Sequence, residues 1–353
     1  MANLPTPLAE NAAHLDRLCE LFDLCQPRGE LRRVAGGFHH VMWRLATRSG
    51  CFAIKQFADD VNFGDPATVA RLNATEVAAA EFARLGIPAL ASLAHADRHL
   101  QVFDGVGYLV FPWTDSRARS RNAIAQYHSA TVAGILARMH RAQIQVTGLA
   151  EPTTWPLTAQ RLNDLLALAQ QHNVREVIYM LDRMDDILAV VQRQQSALSV
   201  LARRETVSHG DLDHKNVLWS ASGQPLLIDW ESARPINPTY ELLLEALDWS
   251  GITAHFDHGP FQHFLSAYVQ AGGDIAAEYI SAAFDAILGA WINWMLFNVG
   301  RAAGVEDLRQ RAIGTEQIDV AVSALLRLEK HIPRLKDIAQ RCAERRCAEP
   351  GNV

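Results

Sequence analysis

Residues 205–231, ETVSHGDLDHKNVLWSASGQPLLIDWE, interrupt a long stretch of helical periodicity and constrain the chain more than any other segment. Two short β-rich runs, Val217-Leu218-Trp219 and Leu226-Leu227-Ile228, flank Ser220-Ala221-Ser222-Gly223, the pattern of a hairpin inside a helical region. Asp211 precedes Asn216 by five positions, and Asp229 follows the second run. Antiparallel return of the hairpin predicts that Asn216 and Asp229 meet at its open end.

That set matches the needs of phosphoryl transfer. A carboxylate must orient and deprotonate the attacking hydroxyl, and hard oxygen ligands must hold Mg²⁺ against the phosphates. Asp211 fits the base, and Asn216 with Asp229 fits the metal pair. The alternative is that Asp211 caps a helix and Asp229 merely ends a strand.

The rest of the chain divides around this segment. Residues 31–57 alternate apolar and polar positions around Gly36-Gly37 and Ser49-Gly50, predicting antiparallel strands and a strand that ends at Lys55. Ala67–Leu85 reads as a helix stopped by Gly86 and Pro88. Strand-like runs follow at Leu90–Ala94, Gln101–Phe103 and Gly107–Phe111, and Pro112 ends the sheet pattern. From about Asn122 the periodicity is helical: Ala130–His140, Glu176–Leu201, Glu241–Ser250, Phe261–Val269, Ile275–Val299 and Gln317–Ile332. The expectation is an α+β chain of two lobes, residues 1–112 with a small antiparallel sheet and one helix, and residues 113–353 mainly helical, with a cleft between them.

The segment SHGDLDHKNVLW…LLIDWE resembles the catalytic and metal-binding loops of the aminoglycoside phosphotransferase and choline kinase-like family, whose pattern is H-x-D-x-x-x-x-N followed by I-D-[FLW]. The resemblance implies a protein-kinase-like fold and ATP-dependent transfer of phosphate to a small-molecule hydroxyl, with GTP as an alternative donor and Mg²⁺ as the metal. It implies that Asp211 is the catalytic base, that Asn216 and Asp229 bind the metal, and that His209 supports the loop. Lys55 is similar to the strand lysine that contacts the nucleotide phosphates and pairs with a helix glutamate. Glu76 and Glu81 both lie on the following helix, and Glu76 is preferred. Glu231 is similar to the glutamate of an I-D-F-E variant, or is a surface residue two positions along. Gly36 and Gly37 sit where a phosphate-covering turn belongs, and Phe111 and Trp113 where the chain passes the adenine.

A net charge of −6 with scattered arginines excludes the electrostatic footprint of a nucleic-acid binder. Five cysteines without a CxxC pair suggest reduced thiols. The N-terminus lacks the basic and apolar regions of a secretory signal, so a cytoplasmic protein is expected, monomeric or homodimeric, with no membrane partner. Phe284–Val299 reads as a buried core helix, and Trp291, Trp294 and Phe297 on it most simply as core packing, with lining of a substrate pocket as the alternative. The scattered histidines, His39, His40, His255, His258 and His263, make no recognisable zinc set. Asp115, Glu241, Glu245 and Asp248 could surround a cationic acceptor, although Glu241 and Glu245, four apart, could equally form a solvated helix face. No motif after residue 231 selects among an antibiotic, choline, homoserine or a sugar as acceptor. A non-catalytic nucleotide-binding module is the opposing class. A protein kinase is disfavoured because D-F-G and A-P-E elements are missing.

Overall fold

The computed structural model describes residues 7–34, 40–58, 60–149, 158–174, 177–304 and 308–348. In chain order its elements are α1 (Ala12–Leu21), β1 (Arg32–Val34), β2 (Val41–Ala46), β3 (Cys51–Gln56), α2 (Pro66–Arg84), β4 (Gln101–Phe103), β5 (Val106–Pro112) and β6 (Arg117–Ala118). Then come α3 (Gln126–Ala142), α4 (Ala159–Gln171), α5 (Ile178–Leu181), α6 (Met184–Leu201), β7 (Thr206–Ser208), β8 (Val217–Trp219), β9 (Pro225–Leu227) and β10 (Arg234–Ile236). The chain closes with α7 (Pro238–Trp249), α8 (His258–Gln270), α9 (Ile280–Ala303) and α10 (Leu308–Ala348).

Two compact units emerge, and neither is continuous in sequence. One comprises Met1–Arg119, Ile144–Ala150 and His209–Arg234; the other comprises Ser120–Gln143, Glu151–Ser208 and Pro235–Val353. Residues 209–234 thus group with the sheet, whereas the expected division at residue 112 placed them with the helices. The ion pairs and ring contacts that residues 229–231 make with β3 and α2 account for the difference.

In the first unit the strands form one antiparallel sheet in the order β1-β2-β3-β5-β4. Strand alternation sends Trp43, Leu45, Ile54, Tyr108 and Val110 to one face, where Leu8, Leu18 and Leu24 from the N-terminal segment cover them. His14 on α1 adds polar ties, with Nδ1 2.9 Å from the Tyr108 hydroxyl and Nε2 3.0 Å from Asp104. The opposite face carries Leu109 and Phe57 and packs on Leu72 of α2. Lys55 pairs with Leu109 across β3 and β5, so it projects on this α2 side. Asp65 caps α2 by accepting from the Ala67 and Thr68 amides, and Pro66 occupies its first turn.

The run Leu90–Ala94, expected as a strand, is irregular. Its amides go to separate partners: Leu90 to the Leu227 carbonyl at 2.8 Å, Ser92 to Glu76, and Leu93 to the Val110 carbonyl at 2.7 Å. No ladder forms because no single strand supplies all the acceptors.

Among its described residues the second unit is helical apart from β7 and the end of β10 that pairs with it. Its central helix, α9, packs against α4, α6, α7 and α10. Ala277–Ala303 is long and apolar enough to cross a membrane by composition, but 56% of its most apolar window is buried inside the molecule. The core-helix reading therefore holds for Ile287, Met295 and Val299. It fails for Trp294 and Phe297, which are 41% and 58% exposed and stack on each other with centroids 5.6 Å apart. Spacing of three walks around a helix by about 300°, so residues 291, 294 and 297 drift off the buried stripe.

Candidate active site

Strand β8 pairs antiparallel with β9, Val217 opposite Leu227, and the Ile228 amide donates to the Asn216 carbonyl at 3.0 Å. The hairpin therefore sets Asn216 beside the residue preceding Asp229. His209, fully buried, donates through Nε2 to the Ile228 carbonyl at 3.0 Å and ties the start of the loop to the same point. Asn216 donates through Nδ2 to the Asp211 carbonyl at 2.8 Å and to Asp211 Oδ2 at 3.1 Å. These bonds orient the exposed Asp211 carboxylate and leave the Asn216 amide oxygen as the group that can meet a cation.

Gly210 has φ +77°, and a Cβ there would lie 2.3 Å from both the Ser232 carbonyl oxygen and an Arg234 guanidinium nitrogen. Only glycine fits this turn comfortably. Asp229 also adopts the left-handed region, at φ 63° and ψ 63°. That bend turns the chain out of β9, leaves the Asp229 side chain 45% exposed and drops Trp230 into the core against Phe82, with ring centroids 5.4 Å apart.

Lys55 reaches this bend. Its Nζ lies 2.8 Å from Asp229 Oδ1 and also pairs with Glu231 Oε1. Burial alone would lower the Lys55 pKa, but the Glu231 and then the Asp229 carboxylate outweigh it and hold the ammonium above its usual range. Burial likewise pushes the Glu231 carboxyl upward, and the opposing charge of Lys55, with help from His40, takes it well below the usual carboxylate range. The second Glu231 oxygen, Oε2, is 3.1 Å from His40 Nε2.

The ion-pair partners of Lys55 among the described residues are Asp229 and Glu231. Glu76 is buried and accepts from the Ser92 amide at 2.9 Å, while Glu81 pairs with Arg84 on the helix surface. Burial, opposed by Ser92 and by the nearby charge of Lys55, raises the Glu76 carboxyl to about 7. Phosphate-site candidates Gly36 and Gly37 lie outside the described residues. Phe111 faces Ala53 in the β3–β5 ladder, and the Trp113 amide donates to the Cys51 carbonyl at 3.0 Å. The Arg44 guanidinium covers the Trp113 ring 4.7 Å from its centroid.

The acidic residues of the second unit are differently employed. Glu241 and Glu245 are buried, contrary to a solvated face, and Glu241 accepts from His140 at 2.7 Å. Arg121 pairs with Asp248 at 2.9 Å. In the first unit, Asp115 accepts from the Trp113 indole at 2.9 Å. The reading from sequence weighed His40 without linking it to Glu231 and left Glu231 undecided. The available signal was the acidic residue two places beyond Asp229, on the buried side of a bend.

A sequence profile of the phosphotransferase enzyme family matches residues 30–284, most of the chain. The protein belongs to this family. No curated protein matches the sequence significantly. Among solved structures, the phosphotransferase chain is similar to Plasmodium vivax ethanolamine kinase, at 16% identity over 87% of this chain and 84% of that one, with a TM-score of 0.58. A spectinomycin phosphotransferase, solved with ADP and spectinomycin, gives 10% identity over 88% and 98%, with a TM-score of 0.61. The choline kinase of Streptococcus pneumoniae gives 17% over 89% and 99%, with a TM-score of 0.54. These likenesses show the protein-kinase-like fold expected from the sequence.

Proposed function

We propose that this phosphotransferase transfers the γ-phosphate of ATP, with Mg²⁺, to a hydroxyl group of a small molecule. The observation that carries the reading is the convergence of Asp229 on Lys55 beside the Asp211–Asn216 pair. Asp211 is solvent-accessible and oriented by Asn216, as a base for an incoming hydroxyl must be. The Asn216 amide oxygen and the Asp229 carboxylate make the hard, oxygen-only donor set that suits Mg²⁺, which when bound neutralises charge on the phosphates. Lys55 is a buried, permanently charged ammonium, suited to hold a phosphate oxygen. Phe111 and Trp113, at the end of β5, supply the apolar contact for an adenine.

The acceptor is proposed as an alcohol, with an antibiotic-modifying role as the first reading. Glu241, Glu245 and Asp248 are already buried or paired, and Asp115 holds the Trp113 indole, so these four do not support a cationic acceptor. Aminoglycosides and macrolides therefore enter the test on equal terms with choline, homoserine and sugars. The test is nucleotide consumption with ATP and with GTP against that panel. One acceptor is expected to give turnover that Asp211→Ala lowers by roughly 10²–10⁴-fold, the span of general acid–base catalysis. Turnover unchanged in Asp211→Ala would remove the base assignment. Nucleotide binding without turnover on any acceptor would favour a non-catalytic nucleotide-binding module.

A further inference from the structure

We propose that Ser92 and His99 are positioning residues for the nucleotide phosphates: they fix the buried Glu76 carboxylate in the field of Lys55, and so set how firmly that lysine holds a phosphate oxygen. The inference rests on the kinase reading above and adds to it two residues from the segment between α2 and β4.

Ser92 is a fixed point. On either side of it the Leu90 and Leu93 amides donate to the Leu227 carbonyl of β9 and the Val110 carbonyl of β5, which pins the segment to both strands. From that point the Ser92 amide donates to Glu76 Oε2 at 2.9 Å. A second tie comes from the same helix. Asn73, three positions before Glu76 and on the same side of α2, accepts through Oδ1 from the His99 amide at 2.7 Å and the Leu100 amide at 3.3 Å. Glu76, Ser92 and His99 are all buried.

The His99 ring closes the circuit. Its Nδ1 lies 3.0 Å from the Ser92 carbonyl oxygen and 3.0 Å from Ser92 Oγ. A carbonyl can only accept, so Nδ1 carries the proton. Burial holds the ring below its usual range, which keeps it neutral with that one proton on Nδ1. Nδ1 therefore cannot accept from the Ser92 hydroxyl, whose own proton is left for Glu76. Amide and hydroxyl of Ser92 both favour the ionised carboxylate against the burial that opposes it, and the charge of Lys55 acts in the same sense. Without the hydroxyl, or the ring that orients it, Glu76 keeps its burial and loses a donor, so it leaves its place or takes up a proton. Either way Lys55 is left to Asp229 and Glu231 alone and is less firmly set for a phosphate oxygen.

The test measures ADP binding by calorimetry, with thermal unfolding to verify folding and KM values for nucleotide and acceptor on any acceptor found. Ser92→Ala and His99→Ala are each expected to weaken ADP roughly tenfold, the worth of one hydrogen bond to a charged group. Both raise the KM for nucleotide and leave that for the acceptor unchanged. His99→Asn, whose amide nitrogen can donate from the place of Nδ1, restores most of the affinity, whereas His99→Gln, which reaches only the Nε2 position, does not. In a Glu76→Gln background neither alanine substitution costs further affinity, because both act through that carboxylate. Three results overturn the proposal while leaving the kinase reading standing: wild-type ADP affinity in folded Ser92→Ala and His99→Ala, equal affinities in His99→Asn and His99→Gln, or an undiminished loss in the Glu76→Gln background. If neither alanine variant folds, the contrast between His99→Asn and His99→Gln decides. Wild-type protein that binds no ADP removes both readings.

Discussion

Gly210 illustrates how tightly single residues are specified around the loop. An alanine there must bear a positive φ and push a methyl group into the Ser232 carbonyl oxygen. Gly210→Ala is expected to cost about 1–3 kcal/mol of stability, read by urea unfolding, and to lower turnover because Asp211 follows immediately. Glu76 makes a prediction about pH. Its folded pKa is about 7, above its value of 4.5 in an unfolded chain. Between those values the folded state binds the extra proton, so this residue's contribution to stability falls as pH rises from 4.5 to 7 and is flat above. Glu76→Gln keeps an acceptor for Ser92 and loses the ionisation. Its stability relative to wild type should therefore rise between pH 5 and pH 8, and a constant difference across that range would contradict the assignment. The approach of Asn216 to the start of the Asp229 bend was legible in the sequence because the hairpin dictates it. The pairing of Lys55 with Glu231 was not, because the bend at Asp229 that turns Glu231 toward the lysine is a tertiary fact.

Elements were legible where a ladder or an apolar stripe enforces them. The strands β2, β3 and β5 and the helix α2 follow from alternation and capping signals, whereas Leu90–Ala94 has strand composition but no strand to pair with. The aromatic run on α9 misled for a related reason: helical spacing marks a face without stating what covers it. The N-terminal segment adds an element that lies outside the family match, which begins at residue 30. Leu8, Leu18 and Leu24 are 0–2% exposed against the sheet, and burying a leucine contributes about 2 kcal/mol. Removing residues 1–24 should uncover that face, cost several kcal/mol and promote aggregation, measurable by urea unfolding and light scattering. A truncated protein with wild-type stability would show that α1 is an ornament.

For the whole molecule, the family assignment was legible from one segment, while the acceptor was not, since residues beyond 231 leave no motif. A ligand-linked prediction tests the chemistry without knowing the acceptor. Mg²⁺ with ATP at a hundred times its Kd should stabilise the native state by about 2.7 kcal/mol. Lys55→Ala and Asp229→Asn should each shrink the resulting rise in melting temperature, and equal shifts in all three proteins would argue that nucleotide sits elsewhere.

The discontinuous first unit has a consequence for biosynthesis. Lys55 emerges from the ribosome long before the carboxylates it needs, 174 positions ahead of Asp229, and a buried ammonium without them is costly. The sheet can gather early, but its charged centre stays unfinished until nearly two thirds of the protein has been synthesised. Closing contacts over such sequence separations is slow, so the nascent chain should pause as an incomplete sheet with Lys55 still in water. The same residues proposed to handle phosphate would then also mark the moment at which the first unit locks.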